Sequence, residues 1–317
     1  MRKRQLGKSD LQLTCVGIGT FAMGGEGWKA SWGPQDDLDS IAAIHAALDT
    51  GVNWIDTAPV YGLGHAEEVV GRAIRDMQER PIIATKCGRG GDAENLYSDL
   101  SRDFIRRDCE NSLRRLGIDC IDLYQIHWPD PDEQIEEGWS AVAELAREGK
   151  LRYAGVSNFS VEQMRRAQAI FPVTSLQPPY SMLRREIEQD ILPFCRERNI
   201  GVICYSPMYK GLLTGKFSTE RAVALPESDH RRRDPQFQPP LLERNLALVE
   251  ELTPLAAAAG HTMAELAIAW TLNHPAVTAA IVGVRHPRQT DVLRAGDWEL
   301  DEATATAVDQ VLDHGLT

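Results

Sequence analysis

Two patterns of apolar residues alternate along this chain. Short, near-continuous apolar runs are separated by longer stretches with a helical period. The runs predict strands over Cys15–Gly19, Asn53–Thr57, Ile82–Lys86, Ile121–His127, Tyr153–Ser157, Ser175–Gln177, Gly201–Tyr205 and Ala279–Val282. Continuous runs, rather than alternating ones, are what a parallel sheet covered by helices requires. Between the strands, Ile105, Cys109, Leu113 and Leu116 share one helical face, and the pattern stops at Gly117. Ser160–x–x–Gln163 and Thr262–x–x–Glu265 are capping-box helix starts. In front, Arg4 to Leu13 holds two short strand-like pieces around LGKSD, a predicted hairpin. Behind, Asp301 to Val311 predicts one more helix.

Eight strands alternating with helices imply a closed (β/α)8 TIM barrel or a doubly wound open sheet. The polar candidates described below end many different strands rather than line one crevice. The expected fold is therefore the α/β barrel, with an N-terminal β-hairpin and an extra C-terminal helix. No linker and no short repeat interrupts the 317 residues, so one domain, 1–317, is expected. The interval from Lys216 to Pro240 has little periodicity and reads as an inserted loop, of a length common in lids.

Composition narrows the partners. The chain is 43% hydrophobic and 25% charged, as ordinary globular proteins are. A net charge of −12 argues against nucleic acid, whose phosphates need a basic footprint. The short basic run His230–Arg233 reads as a solvated loop. Six cysteines, at 15, 87, 109, 120, 195 and 204, include no C-x-x-C pair and fall mostly in apolar patterns. Reduced thiols and a cytoplasmic location are expected. MRKR is followed by no apolar core, so no signal peptide is expected, and no apolar run is long enough to span a membrane.

Some motifs fail on inspection. Gly17–x–Gly19–x–x–Ala22 fits a dinucleotide fingerprint, with Asp37 near the expected distance. That fingerprint must open a helix onto the pyrophosphate, and GGEGWKASWGP cannot. Gly211–x–x–x–Gly215–Lys216 is one residue short of a P-loop and carries Phe217 where a magnesium hydroxyl belongs. Gly155–x–Ser157–x–Phe159 lacks the second glycine of a nucleophile elbow. No His or Cys cluster has zinc spacing, so no metal site is expected.

What remains is an acid, a phenol, an ammonium and an imidazole. Asp56 ends one strand and Tyr61 follows in the next loop; Lys86 and His127 end two more strands. Singly, each has an ordinary explanation as a loop or strand-end residue. Together they fall on the one face of a barrel where sites form. The set suits carbonyl reduction, in which hydride addition leaves charge on oxygen and a proton donor must meet it. A free tyrosine, with a pKa of about 10, is a reluctant acid. A lysine about 4 Å away contributes about 4 kcal/mol at an effective dielectric of about 20. That is worth roughly three pKa units, and desolvation opposes part of it. A lowered phenol pKa is the expectation, with Asp56 keeping Lys86 charged and His127 stabilising the oxyanion.

Asp56–Thr57–Ala58–x–x–Tyr61–Gly62, Lys86, His127, GVSNFS (155–160), Gln177, YSPMYKGLLTGK (205–216) and Gly283 to Gln289 resemble the aldo-keto reductase family. The likeness runs from Gly7 to about Val292. MGGEGW, DTAPVYGLGHAEEVVG and YQIHWPDP place it nearest the bacterial general-stress and inositol-operon reductases. The resemblance implies an Asp56, Tyr61, Lys86, His127 tetrad and an extended nicotinamide cofactor across the barrel mouth. Gly19, Thr20 and Asp56 would border that cofactor. Ser157, Asn158 and Gln177 would grip the carboxamide, and Tyr205 would stack on the ring. Ser206, Pro207, Met208, Gly211, Leu212 and Lys216 would line the pyrophosphate, with the DHRRRDPQF loop over it. Gly283, Arg285 and Gln289 would hold the adenosine end.

Arg285 implies NADP(H) ahead of NAD(H), since guanidinium suits a 2′-phosphate. The family often has Asn, contacting adenine, where this chain has Leu293. Trp28, Trp32 and Trp128, with Tyr61 and His127, are expected substrate walls for small aldehydes, ketones or sugars. Two other outcomes are compatible: a sugar or polyol dehydrogenase running the oxidative direction, or a channel β-subunit-like NADP-binding regulator. The sequence does not set the oligomeric state.

Overall fold

The computed structural model describes residues 1–227 and 229–315. A hairpin of β1 (Lys3–Gln5) and β2 (Gln12–Thr14) precedes the first barrel strand, β3 (Val16–Gly19). Helix α1 (Asp37–Asp49), strand β4 (Trp54–Asp56), helix α2 (His65–Ile74) and strand β5 (Ile82–Cys87) follow. A second hairpin, β6 (Arg89–Gly91) and β7 (Leu96–Ser98), leads into α3 (Arg102–Leu116) and β8 (Ile121–Ile126). The chain continues through α4 (Ile135–Arg147), β9 (Leu151–Ser157), α5 (Val161–Gln168), β10 (Ser175–Gln177), α6 (Ile191–Arg198) and β11 (Gly201–Cys204). The short α7 (Thr219–Val223) and α8 (Leu241–Ala258), α9 (Met263–Asn273), β12 (Val277–Gly283) and α10 (Glu302–Gly315) complete it.

Strands β3, β4, β5, β8, β9, β10, β11 and β12 close into an eight-stranded parallel barrel in sequence order. All eight expected strands are present, with ends within two residues of expectation. Both capping boxes form, and Gly117 ends α3 in the left-handed region. The hairpin β6–β7 was not expected. Its turn is closed locally by Asp92, whose Oδ1 accepts from the Glu94 and Asn95 amides at 2.9 and 2.8 Å.

Side chains of a strand alternate between faces with period two. One parity packs outward against the helices in the larger core. The other fills the barrel with Trp54, Ala84, Leu123, Ile203, Ala279 and Ile281, and Leu6, Leu11 and Leu13 of the N-terminal hairpin join that cluster. This interior explains the failed dinucleotide fingerprint. A Cβ on Gly17 would lie 2.0 Å from the Trp54 ring, and one on Gly19 would lie 2.5 Å from Ile281 Cγ2. The two glycines make room for barrel-filling side chains. The turn after them is one short 3₁₀ helix, Phe21–Gly24, not an α-helix.

Beneath the barrel mouth lies a buried polar knot. Glu67, fully buried on α2, accepts from Thr85 Oγ1 at 2.6 Å and from Arg115 Nε at 2.7 Å. Asp108 on α3 accepts from the Gly88 amide at 3.3 Å. Burial, and then the neighbouring Glu67 charge, push its carboxyl up to about 8, against the pull of Arg115. A carboxyl whose pKa is raised by folding favours the fold below its unfolded value. That contribution is lost as pH rises from about 3.9 through the folded value of about 8. Asp108→Asn is therefore expected to raise the melting temperature at pH 8 by about 2 °C or more, with the gain shrinking towards pH 4. Differential scanning calorimetry at the two pH values checks this. A loss at pH 8 would mean that Asp108 is ionised and held by Arg115.

All six cysteines are free, five of them buried and Cys120 half-buried. No helix among the described residues is long and apolar enough to cross a membrane.

Candidate active site

The inward-facing parity of the strands ends, at their C-terminal edge, on the residues singled out in the sequence. Gly19 pairs with Asp56, Asp56 with Ala84, Lys86 with Gln125 and Ser157 with Gln177. Lys86 thus stands two residues beyond the partner of Asp56, on the same face. Tyr61 comes from the loop after β4 and opens a kinked turn, Tyr61–Gly64, in which Gly62 and Leu63 are left-handed. That turn is pinned by Gly62, at φ 61°, where a Cβ would sit 2.1 Å from the Gly24 carbonyl oxygen. Thr20 is buried and donates from N and Oγ1 to the Asp56 carbonyl at 3.0 and 3.1 Å, tying the first loop to β4.

Lys86 is fully buried, and its three ammonium donors have three acceptors. Nζ lies 2.6 Å from Asp56 Oδ1, 2.9 Å from the Thr57 carbonyl and 3.3 Å from Tyr61 Oη. The second Asp56 oxygen accepts from Gln177 Nε2 at 2.7 Å. Because the phenol oxygen accepts from the ammonium, the phenol proton is free to be given elsewhere. Burial lowers the Lys86 pKa and Asp56 opposes it.

The expected lowering of the Tyr61 pKa does not occur. Burial, and then the Asp56 charge, hold it well above the ordinary tyrosine value. The physical reason is desolvation of the phenolate in a closed site, to which the Asp56 carboxylate adds a repulsive charge. The His127 ring centroid is 5.8 Å from that of Tyr61, at an interplanar angle of 78°. Burial, then Lys86 and Arg89, hold its pKa well below the usual histidine value, so the imidazole is neutral.

Behind the tetrad, Ser157, Asn158, Gln177 and Tyr205 are knitted together. Asn158 sits in the left-handed region at φ 62°. Its Nδ2 donates to the His127 carbonyl and to Ser157 Oγ, both at 3.0 Å. Its Oδ1 accepts from Tyr205 Oη at 2.9 Å, and Ser157 Oγ donates to the Gln177 carbonyl at 2.8 Å. The Tyr205 ring is thereby fixed beside the barrel mouth. After it, Ser206, Tyr209, Lys210 and Gly211 all have positive φ. The run makes a tight turn in which the Tyr209 and Gly211 amides donate to the Ser206 and Met208 carbonyls at 2.9 and 3.1 Å. Pro207 is buried in this turn and Met208 is half-buried. Leu212 packs away from it among Phe217, Leu225, Phe237 and Leu242, so only its backbone faces the turn. Lys216 is exposed at the far end of the segment.

Gly283 is exposed at the end of β12. Arg285 is half-buried, donating to Gln35 Oε1 and the Pro34 carbonyl, both at 2.6 Å. Gln289 is exposed and caps the following turn, accepting from the Arg285 amide at 2.7 Å. Leu293 is fully buried, so it does not substitute for a surface amide.

The aromatic wall is larger than expected. Phe21 packs edge-on against Tyr61, Trp28 and Trp32, at centroid distances of 5.0, 5.2 and 6.1 Å. His230 joins from the inserted loop, 5.7 Å from Trp32, and Arg231 lies 4.8 Å above the same ring. Arg231 is also paired with Asp229 at 2.6 Å. The basic run is therefore not simply solvated. Its first two residues dock on Trp32, and Arg232 and Arg233 are exposed. Trp28 is buried, Trp32 half-buried, and Trp128 is 38% exposed at the rim. Phe21 and His230 were missed. Phe21 stands two residues beyond Gly19, where an aromatic beside the strand end was the available signal.

Among the described residues no group of three or more His, Cys, Asp or Glu could hold a metal ion.

A parallel barrel carrying these side chains at the C-terminal ends of its strands defines a barrel enzyme with its site at the mouth. The chain belongs to the aldo/keto reductase family, whose family model matches residues 16–313. It is 38% identical to the aldo-keto reductase YhdN of Bacillus subtilis, over 100% of this chain and 95% of that one. It is 33% identical to the NADH-specific methylglyoxal reductase of Escherichia coli, over 99% of each. Among solved structures it resembles a glycerol dehydrogenase from Gluconobacter oxydans, with a TM-score of 0.90 and 40% identity. That match covers 99% of this chain and 96% of the other. The protein is thus an oxidoreductase that acts on carbonyls or sugars with a nicotinamide cofactor.

Proposed function

We propose that this protein is an NADPH-dependent carbonyl reductase, with Tyr61 as proton donor, His127 as oxyanion partner and Lys86–Asp56 as the supporting pair. The observation that carries this reading is the Lys86 ammonium. It donates to the phenol oxygen at 3.3 Å and leaves the phenol proton free. A nicotinamide held beside Tyr205 would supply the hydride. A neutral imidazole carries one N–H, which can meet the carbonyl oxygen and stabilise charge as it develops. Tyr61, held protonated by burial, gives its proton to that oxygen. Lys86 then faces the phenolate, and Asp56 keeps Lys86 aimed.

The residues present suit the cofactor. Tyr205 offers a flat ring next to amide and hydroxyl groups of Ser157, Asn158 and Gln177. Ser206, Met208 and Gly211 offer a turned backbone for phosphates, and a Cβ at Gly211 would meet only Arg231 Nη1, at 3.9 Å. Arg285 lies in the field of Arg231, which lowers its pKa after burial, so an anion between them would be favoured. We read the whole chain as one domain working in the reducing cytoplasm, without nucleic-acid or membrane partners. A glycerol dehydrogenase relative supports a second direction, polyol oxidation, through the same four residues.

The test is a titration of intrinsic tryptophan fluorescence with NADPH and NADH, followed by an aldehyde, ketone and sugar screen. Tighter NADPH binding and turnover of a carbonyl are expected. Arg285→Ala should weaken NADPH about 10- to 100-fold and NADH by less than about threefold. Equal losses would remove the phosphate role and favour NADH, as the name of the Escherichia coli relative states for that protein.

A further inference from the structure

Arg89 opens the unexpected hairpin β6–β7, three residues beyond Lys86. The hairpin lines the site, since Leu96 of β7 packs on the cluster of Trp28, Val60 and Tyr61. The Arg89 guanidinium is half-buried. It lies within the electrostatic reach of His127, whose pKa it helps to lower. Its one ring neighbour is Trp128, with 6.0 Å from the guanidinium carbon to the ring centroid. That is the outer limit of a cation–π contact.

Among the described residues no hydrogen bond or ion pair to this guanidinium is formed. Asp130 acts on it only at a distance, as a charge. The contrast with its neighbours is sharp. Lys86 is saturated by Asp56, Thr57 and Tyr61, Arg231 is paired with Asp229, and Arg285 is tied to the Pro34–Gln35 segment.

An arginine presents five N–H donors in a planar fork that matches carboxylate and phosphate oxygens. No nitrogen of that fork is both buried and unpartnered, so it meets solvent and is open to the oxygens of an anionic ligand without a protein contact to break. The tetrad sets where a carbonyl carbon would sit, the rings of Phe21 and Trp28 form the wall beside it, and Arg89 marks the rim next to Trp128. We propose that Arg89 is an anion subsite, and that the preferred substrates are aldehydes or ketones bearing a carboxylate or phosphate near the carbonyl. This rests on the carbonyl-reductase reading above and names its substrate class.

The test compares anionic substrates with neutral counterparts under saturating NADPH. 4-Oxobutanoate against butanal probes a carboxylate; glyceraldehyde 3-phosphate against glyceraldehyde probes a phosphate. In at least one pair the anionic member is expected to have the higher kcat/KM, by about tenfold or more. Arg89→Met should lower kcat/KM for that member about 10- to 100-fold, mainly through KM. It should leave the neutral member within about twofold of the unaltered enzyme. The pair that responds tells carboxylate from phosphate.

No anionic preference in either pair, or equal losses for anionic and neutral members in Arg89→Met, would overturn the subsite. A second readout keeps the two readings apart. Binding of 4-oxobutanoate and glyceraldehyde 3-phosphate is followed by tryptophan quenching in cofactor-saturated protein, with and without Arg89→Met. Anion binding lost in Arg89→Met, without turnover of any carbonyl, would sink the reductase reading and retain the subsite. Turnover of neutral aldehydes with no Arg89-dependent anion binding would do the reverse.

Discussion

Tyr61→Phe is expected to lower carbonyl reduction about 100- to 10,000-fold, with cofactor affinity unchanged to within about twofold. The substitution removes one oxygen. It keeps the ring that packs on Phe21 at 5.0 Å and faces His127 at 5.8 Å, so the fold and the aromatic wall survive. What is lost is the proton that the Lys86 contact leaves free. The loss should fall on kcat rather than KM, because the proton is given only as charge develops on the substrate oxygen. The unaltered enzyme should also show no alkaline decline from Tyr61 below pH 9, since burial holds this phenol protonated well past the ordinary tyrosine range. Steady-state kinetics across pH and NADPH titration of the variant test both parts. Near-native turnover in Tyr61→Phe would assign the proton to another group.

Lys86→Met should damage both stability and turnover. Asp56 is 2% exposed, and its carboxylate would lose the ammonium at 2.6 Å while still held by Gln177. Removing one partner of a buried pair costs about 3–5 kcal/mol, because the other charge stays buried without compensation. Turnover should fall by at least about 100-fold, as the phenolate would form without a cation beside it. The double variant Lys86→Met, Asp56→Asn separates the two effects. It removes both charges, so most of the stability should return while turnover stays low. Urea unfolding and single-turnover kinetics on the three proteins decide it. Recovery of turnover in the double variant would show that Lys86 only neutralises Asp56.

Glu67, Arg115 and Asp108 show why some of this site could not be seen in advance. Each is an ordinary helix residue in sequence. Only folding brings Glu67 against Thr85, the neighbour of Lys86, and lays Arg115 beneath Gly64 of the Tyr61 turn, where a Cβ would sit 2.9 Å from Arg115 Cδ. The hairpin β6–β7 is a similar case. Gly90 and Gly91 read as loop, yet Gly90 leaves room for Tyr97, whose ring a Cβ would approach to 2.7 Å. Leu96 then finds its partners in a cluster from two other loops and α2.

The sequence by itself narrowed the fold to a barrel or a doubly wound sheet, because continuous apolar runs need both faces of a parallel sheet covered, and polar residues at the ends of many strands favoured the barrel. It also determined which residues reach the mouth, since period-two alternation carries Asp56, Lys86, Ser157, Gln177 and Gly283 to inward-facing strand ends. Tertiary structure alone decided the electrostatics. The Tyr61 pKa rises because burial disfavours the phenolate and the Asp56 charge adds to it, and distances and solvent exclusion are not local properties of sequence. It alone decided that Gly17 and Gly19 admit Trp54 and Ile281 rather than a pyrophosphate. It alone also set Arg89 beside the site without a partner, because pairing depends on which distant side chains arrive and which do not.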